Sequence, residues 1–458
     1  MDLNELLAKK RCIHFIGIGG SGIFPLVQLL HGQGHTIQGS DKNHGDAIDA
    51  ELAMGITVYI GHRAGQINGA DLIVYSAAIA QDNPELAAAR ERGVPVFERA
   101  TLLGWISGRY RDCVCISGSH GKTSATALLT QILVCAGLDP TAIIGGKLPL
   151  IGGSGRAGAS SIIAVEACEY KDTFLRLRPA VAVVLNVDAD HLEYFGSLDG
   201  VVRSFRKFAA LASRLIIANG DDENTRRALA GLDTGAEIVT FGFGPENDYT
   251  AANIKALDHA HTAFDLVFRG ETLAAISLRV PGRHNILNAL AACAAALAVG
   301  ASPNQIEEAV PGFRGAARRF DILGKVRGVT IADDYAHHPA ELAATLNTAA
   351  AMGYNKVWAV FQPFTYSRTK LLLDDFAAAL AIPQRVVMSP IMGGREENAY
   401  GIHTRDLAEK IPGAVWLETF GEIADYVMKN AEPGDLVITL GCGDIYKCAK
   451  MMINRPLV

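Results

Sequence analysis

The sequence predicts an α/β protein of three consecutive domains built on parallel sheets, and three observations predict it. Short apolar runs alternate with helical patterns in three successive rounds; each round leads from an apolar strand into a glycine-rich or charged loop; and 458 residues is about three times the ~150 of a usual domain. The starts of the second and third rounds place boundaries near 106 and 316, so the expected domains are 1–106, 107–315 and 316–458. No low-complexity tract or short-period repeat interrupts them.

The first round opens on the strand Ile13-His-Phe-Ile and continues through strands at Thr36 to Ser40, Ile56 to Tyr59 and Leu72 to Tyr75, ending in the stretch Phe97-Glu-Arg-Ala-Thr-Leu-Leu. Between the first strand and a helix stands Gly17-Ile-Gly19-Gly20-Ser21-Gly22, and Asp41 closes the next strand. Together these make the full dinucleotide-binding fingerprint of a Rossmann-like domain. What the arrangement holds is a pyrophosphate on a helix N-terminus, so NAD and a UDP-sugar satisfy it equally. Tight strand-to-helix packing through glycine is the plainer alternative.

The second round starts at Asp112-Cys-Val-Cys-Ile and includes Ser161-Ile-Ile-Ala-Val, Val181-Ala-Val-Val-Leu and Arg214-Leu-Ile-Ile-Ala. Its first strand runs into Gly118-Ser119-His120-Gly121-Lys122-Thr123-Ser124 and then a helix, which predicts a central, P-loop ATPase-like parallel sheet. Backbone N–H groups of such a loop face phosphate oxygens, Lys122 reaches the β/γ-phosphates of ATP, and the Thr123 hydroxyl is placed for Mg²⁺. The loop is short, since only Ser119 and His120 separate its first glycine from the Gly-Lys pair. Two further strands end in Glu166-Ala-Cys-Glu169-Tyr170 and Asn186-Val-Asp188-Ala-Asp190-His191. The C-terminal ends of parallel strands line the ligand crevice, so Glu166 is an oxygen ligand for Mg²⁺ and His191 is a metal ligand or a solvated loop histidine.

The third round follows Arg318-Arg319-Phe-Asp, with strands Val329-Thr-Ile-Ala, Lys356-Val-Trp-Ala-Val-Phe, Arg385-Val-Val-Met and Asp435-Leu-Val-Ile-Thr-Leu, and predicts a second Rossmann-like domain. Bulk properties exclude several classes. A net charge of −6 with no basic patch argues against nucleic-acid binding. Eight cysteines without a C-x-x-C pair fit reduced thiols in the cytoplasm. The N-terminus lacks the apolar core of a signal peptide, and the apolar stretch from Ala289 to Val299 is too short for a bilayer, so neither export nor membrane insertion is expected.

Several segments taken together resemble the Mur ligase family, the cytoplasmic ATP-dependent amino-acid ligases of peptidoglycan synthesis. They are the two glycine loops, Ser76-Ala-Ala-Ile, Glu166-Ala-Cys-Glu-Tyr, Asp190-His-Leu, Pro281-Gly-Arg-His284-Asn-Ile-Leu-Asn288, Arg318-Arg-Phe, Asp333-Asp-Tyr-Ala-His-His-Pro and Phe361-Gln-Pro-Phe-Thr-Tyr-Ser-Arg368. They fall in family order over all three domains. The resemblance implies that the lactyl carboxylate of UDP-N-acetylmuramate is phosphorylated by ATP and that the amine of L-alanine then displaces phosphate. It implies that Gly17, Gly19, Gly20, Ser21, Gly22, Asp41 and Ser76 hold the UDP-sugar. Gly118 to Ser124, His284, Asn288, Arg319 and Asp334 are implied to bind ATP. Thr123, Glu166 and His191 would hold Mg²⁺, with Lys122, Glu166, His191 and Arg368 catalytic, and Tyr335, His337 and Arg368 would bind substrate. A monomer or a homodimer fits it.

Two departures from the family pattern stand out. Some members carry a carbamylated lysine where this chain has Phe205, and Lys207 is out of register, so no carbamate is expected. Many alanine-adding relatives have histidine and arginine where Phe364 and Thr365 stand. The amino-acid pocket is therefore the least defined part of the implied site. A tripeptide-adding ligase and, in another class, an NAD-dependent dehydrogenase are the alternatives; the dehydrogenase leaves Gly118 to Thr123 unused.

Overall fold

The computed structural model describes residues 3–258, 260–394 and 396–454, with every side chain in a helix or strand except that of Glu193. Among them the strands form three sheets. The chain divides into two compact units. The first takes the chain up to Lys255 with Ala263–Leu278 and Arg283–Phe313; the second takes the chain from Arg314 with two short segments, one of them Arg279–Gly282.

In the first unit, one sheet has five parallel strands in the order Thr57–Ile60, Thr36–Asp41, Cys12–Ile16, Leu72–Tyr75 and Val96–Glu98. Ile13, Phe15, Ile16, Leu72, Ile73 and Val74 are buried because helices cover both faces, which is why these strands read as apolar runs. The order reverses between Cys12–Ile16 and Leu72–Tyr75, and the first glycine loop leaves the sheet at that switch point.

The other sheet of this unit has ten strands. Its centre is parallel, in the order Glu237–Gly242, Leu215–Asn219, Val181–Val184, Asp112–Ser117, Ile162–Glu166 and Thr141–Leu148. The fold class matches the sequence expectation, but the sheet is not parallel throughout. Gly153–Arg156 returns antiparallel on Thr141–Leu148. At the other edge Thr262–Phe268 and Glu271–Leu278 form a hairpin whose turn residues, Arg269 and Gly270, have φ of 49° and 87°. The two hairpin strands are half exposed and carry a mixed pattern, so they lack the apolar runs that marked the others.

Helix Lys122–Cys135 packs against Arg283–Ala298, whose run of buried alanines lets the two backbones approach. Phe205, where no carbamate was expected, is fully buried and edge-on to Phe174 at 5.2 Å, while Phe174 stacks on Phe208 at 4.7 Å. Gln28, on the helix that follows the first glycine loop, accepts from the backbone N–H groups of Ser154 and Gly155, both at 2.9 Å. A Cβ on Gly155 would run into the carbonyl of Pro25, so glycine is what allows that contact.

The second unit is built on six strands in the order Asp321–Val326, Val329–Asp334, Leu436–Leu440, Val357–Phe361, Arg385–Met388 and Val415–Trp416. All pairs are parallel except the edge hairpin of Asp321–Val326 with Val329–Asp334. Its core joins Ala332, Leu342, Leu346, Phe361, Phe376 and Ile438.

Candidate active site

In the first unit the loop at 118–121 is shaped by glycine where glycine is required. Gly118 and Gly121 have φ of 153° and 84°, and a Cβ on Gly118 would lie 2.9 Å from that of Leu185. Asn186, at the end of a neighbouring strand, clamps the loop: its Oδ1 accepts from the N–H of His120 at 2.8 Å, its Nδ2 donates to the His120 carbonyl at 3.1 Å, and its own carbonyl accepts from Ser119 N at 3.1 Å. Asp188 N donates to Ser119 Oγ at 2.8 Å, and its carboxylate lies 3.2 Å from His120 Nε2. The Ser119 and His120 N–H groups are thus spent on fixing the loop, and the donors left for a phosphate are those that open the helix Lys122–Cys135.

Lys122 leaves the first helical turn and folds back. Its Nζ donates to the carbonyls of Gly118 at 2.6 Å and Ser119 at 3.0 Å and pairs with the Glu169 carboxylate at 2.9 Å. Burial works against the ammonium, but the charges of Glu169, Cys168 and Glu166 outweigh it and hold its pKa above the ordinary lysine value. Thr123 Oγ1 donates to Glu166 Oε1 at 3.0 Å, and the other Glu166 oxygen accepts from Gly145 N at 2.6 Å. A hydroxyl and a carboxylate at that separation form the hard oxygen pair that Mg²⁺ takes beside a nucleotide phosphate, so the donor set fits that ion.

His191 lies in a second group. One ligand atom each from Glu169, Asp190 and His191 falls within a 4.8 Å span. The backbone there is unusual: His191, Lys171 and Asp172 have φ of 52°, 53° and 57°. The Tyr170 ring lies 4.7 Å from that of His191, and Asp172 accepts from Tyr194 Oη at 2.9 Å, so the two strand-end loops are tied together. Glu169, Asp190 and Asn186 stand at the strand ends that the sequence places toward the ATP phosphates, and the structure gives each a specific partner. Glu169 is 1 % exposed, and its place three residues beyond the strand-terminal Glu166 was the available signal.

Asn288 is buried, and its amide carbonyl stands where a Cβ on Gly121 would be, 2.5 Å away. The His284 imidazole is crowded by the surrounding chain and faces the charge of His120, which together lower its pKa. Ser124 continues the helix that Lys122 begins.

The first glycine loop is held by the strand Thr36–Asp41. The Ser40 carbonyl accepts from Gly17 N at 2.7 Å and Ile18 N at 3.0 Å, and Asp41 Oδ2 accepts from Gly19 N at 3.1 Å. Gly17 has φ of 82°, and Gly20 N donates to the Gly17 carbonyl at 3.1 Å, so the loop closes on itself before the helix Phe24–Gly32. Ser21 and Gly22 complete the turn, and Ser76 faces Gly17 from across the switch point, its Cβ 3.5 Å from where a Gly17 side chain would begin. Glu51 is fully buried beside Asp41; burial first, then the Asp41 charge, push its pKa up to about 8, so near neutrality Glu51 keeps its proton.

The second unit has its own cluster at the C-terminal ends of its strands. Arg318 Nε donates to Asp333 Oδ2 at 3.0 Å, and its guanidinium lies over the ring of Tyr335 at 4.9 Å, with Arg319 at 5.2 Å from the same ring. Asp334 is buried and accepts from Phe320 N at 2.7 Å and Ala336 N at 2.8 Å; burial raises its pKa to about 6 against the opposing charge of Arg319. Its carboxylate therefore organises the arginine segment as well as standing near it. His337 Nδ1 lies 3.0 Å from the Tyr335 carbonyl and 3.2 Å from Glu341 Oε2, two acceptors that require the proton on that nitrogen. Arg368 is on the helix Tyr366–Leu371, close enough to Cys442 for its charge to oppose the burial that pushes this thiol up to about 12.

Glu341 gives a pH signature. Burial raises its pKa, but the hydrogen bond and charge of His337, the His337 N–H and Arg319 outweigh this and hold the carboxyl well below the usual range. A depressed folded-state pKa contributes stability that is present above the unfolded value of about 4.3 and is lost as pH falls through the folded one. We expect Glu341→Gln to cost about 1–3 kcal/mol at pH 7 and to flatten the fall in unfolding midpoint below pH ~4. Denaturant titrations at stepped pH check this; an unchanged acid limb would contradict it.

The fold and these loops define a nucleotide-dependent ligase class. The chain belongs to the Mur ligase family: residues 12–111 match the family's catalytic-domain model, 116–296 its middle-domain model, and 318–443 the model described as Mur ligase, glutamate ligase domain. It is 41% identical over 455 residues to the UDP-N-acetylmuramate--L-alanine ligase of Caldanaerobacter subterraneus subsp. tengcongensis, covering 98% of each chain. It is 42% identical over 453 residues to the ligase of that name from Acetivibrio thermocellus, covering 97% of this chain and 96% of the other. Among solved structures, the UDP-N-acetylmuramate-alanine ligase of Thermotoga maritima superposes with a TM-score of 0.83 at 26% identity, covering 97% of this chain and 99% of that one. Among the described residues no helix is long and apolar enough to cross a membrane.

Proposed function

We propose that this chain joins L-alanine to the lactyl carboxylate of UDP-N-acetylmuramate at the expense of ATP, as a cytoplasmic step in peptidoglycan precursor synthesis. The observation that carries the reading is the pair of independent anion cradles: Gly118 to Thr123 with Lys122, and Gly17 to Gly22 with Asp41. One accepts the ATP phosphates and the other the UDP pyrophosphate, and only a reaction between two such ligands uses both.

The carboxylate oxygen attacks the γ-phosphorus, ADP leaves, and the acyl phosphate is attacked by the alanine amine with loss of phosphate and a proton. Every step gathers anions, so positioning and charge neutralisation carry the catalysis. Lys122 neutralises the transferring phosphoryl group, with Gly118 to Ser124 around the triphosphate and His284 and Asn288 toward the base. Thr123 and Glu166 hold one Mg²⁺, and His191, with Glu169 and Asp190 beside it, suits a second. Bound Mg²⁺ supplies further neutralisation of phosphate oxygens. Gly17, Gly19, Gly20, Ser21, Gly22, Asp41 and Ser76 hold the UDP-sugar. Arg319 and Asp334 serve the nucleotide, and Tyr335, His337 and Arg368 the amino acid. The labour divides over 1–106, 107–315 and 316–458.

The test is phosphate release from ATP and Mg²⁺ with UDP-N-acetylmuramate, with and without L-alanine. Release that needs both substrates is expected. Release indifferent to alanine but driven by a tripeptide would overturn the choice of amine, and nicotinamide reduction with a hydroxy substrate would overturn the class.

A further inference from the structure

Five polar side chains that no step above uses meet beneath the first glycine loop: His14, Gln38, Ser40, His62 and Glu85. The side chains of His14 and Glu85 are 0% exposed. Gln38 Nε2 lies 3.3 Å from His14 Nδ1 and within reach of the carbonyls of Gln66 at 3.2 Å and Asn68 at 3.4 Å, and His14 Nε2 lies 3.6 Å from Glu85 Oε2. Ser40 Oγ donates to Glu85 Oε2 at 2.6 Å, so its lone pair receives the Nδ1–H of His62 at 3.1 Å. Asn83 Oδ1 accepts from Glu85 N at 2.9 Å and caps the helix Pro84–Glu91, placing the carboxylate in a first turn where the helix dipole favours it. Burial pushes the Glu85 pKa up, but the His14 imidazole beside it, the hydrogen bond from Ser40 and the neighbouring His62 bring it below its ordinary value.

A fully buried carboxylate whose Oε1 has no hydrogen-bond partner among the described residues is costly to keep. Its effect is seen through Ser40. The Ser40 carbonyl receives the N–H groups of Gly17 and Ile18, and the next side chain, Asp41, receives that of Gly19. The strand end carrying Ser40 is therefore the template for the opening of the loop, and Glu85 fixes Ser40 by its hydroxyl. We propose that Glu85 is a positioning residue for the diphosphate cradle, acting through Ser40. This rests on the reading of Gly17 to Gly22 as the UDP-sugar site.

The experiment is calorimetric binding of UDP-N-acetylmuramate and, separately, of ATP to the full-length chain and to E85Q, S40A and the double variant. Glutamine keeps the volume, but its NH₂ must face donors where a carboxylate accepted. We expect the UDP-sugar Kd to rise about tenfold in each single variant, the double variant to bind no more weakly than the worse single one, and the ATP Kd to stay within about twofold. A merely destabilised fold would lose both ligands together. Overturning results are E85Q binding the UDP-sugar like the unmodified chain, effects of the two substitutions that multiply, or a parallel loss of ATP affinity. Should E85Q fail to fold, unaltered UDP-sugar binding by S40A overturns the proposal. An unmodified chain that binds no UDP-sugar overturns the reading of the loop itself, whereas normal binding with E85Q unaffected overturns this inference alone.

Discussion

Lys122→Ala is expected to lower kcat by about three orders of magnitude while leaving the UDP-sugar Kd within about twofold of its original value. The first part follows from what the ammonium touches. It is held by two loop carbonyls and a buried carboxylate, and its charge is kept on by Glu169 despite burial. An approaching phosphate takes over one of these three bonds and meets a cation already held beside the loop. The second part follows from topology: Gly17 to Gly22 leaves one sheet of the first unit and Gly118 to Gly121 leaves another. Steady-state turnover together with calorimetry of each ligand decides it. Loss of both activities at once would show that the two cradles are not separable.

How much of this was legible in the sequence depends on how local each device is. Both glycine loops could be read because their geometry is set by residues adjacent in the chain, and the short spacing at Gly118 to Gly121 was itself part of the family pattern. The parallel strands could be read because burial on two faces forces uninterrupted apolar runs such as Val181–Val184. The edge hairpins could not, since Glu271–Leu278 and Asp321–Val326 are half exposed and carry no such run. Side-chain partners across strands were also hidden. Glu85 meets Ser40 and His14 only after the sheet is built, and Asn186 meets His120 only because its strand pairs beside Asp112–Ser117. Asp334 shows the converse: its place in a motif marked it as a site residue, while its bonds to Phe320 N and Ala336 N show that it also builds the loop.

Glu169, which the motif contained without announcing its role, carries the other large expected effect. Its carboxylate is buried against Lys122 and stands within the group formed with Asp190 and His191. Glu169→Ala removes the partner of a buried ammonium, and an uncompensated buried charge costs about 3–5 kcal/mol. The Gly118 and Ser119 carbonyls still accept from Nζ, so the lower end of that range is expected. Turnover should fall by at least about tenfold, because the ammonium loses the bond that aims it and the group formed with Asp190 and His191 loses one oxygen. The double variant Lys122→Ala/Glu169→Ala separates the two contributions. With both charges gone it should unfold at higher denaturant than Glu169→Ala alone, while remaining as inactive as Lys122→Ala. A double variant less stable than either single one would mean that Glu169 stabilises the fold by contacts other than the ammonium, and its position beside Asp190 and His191 would then be the reason to look for them.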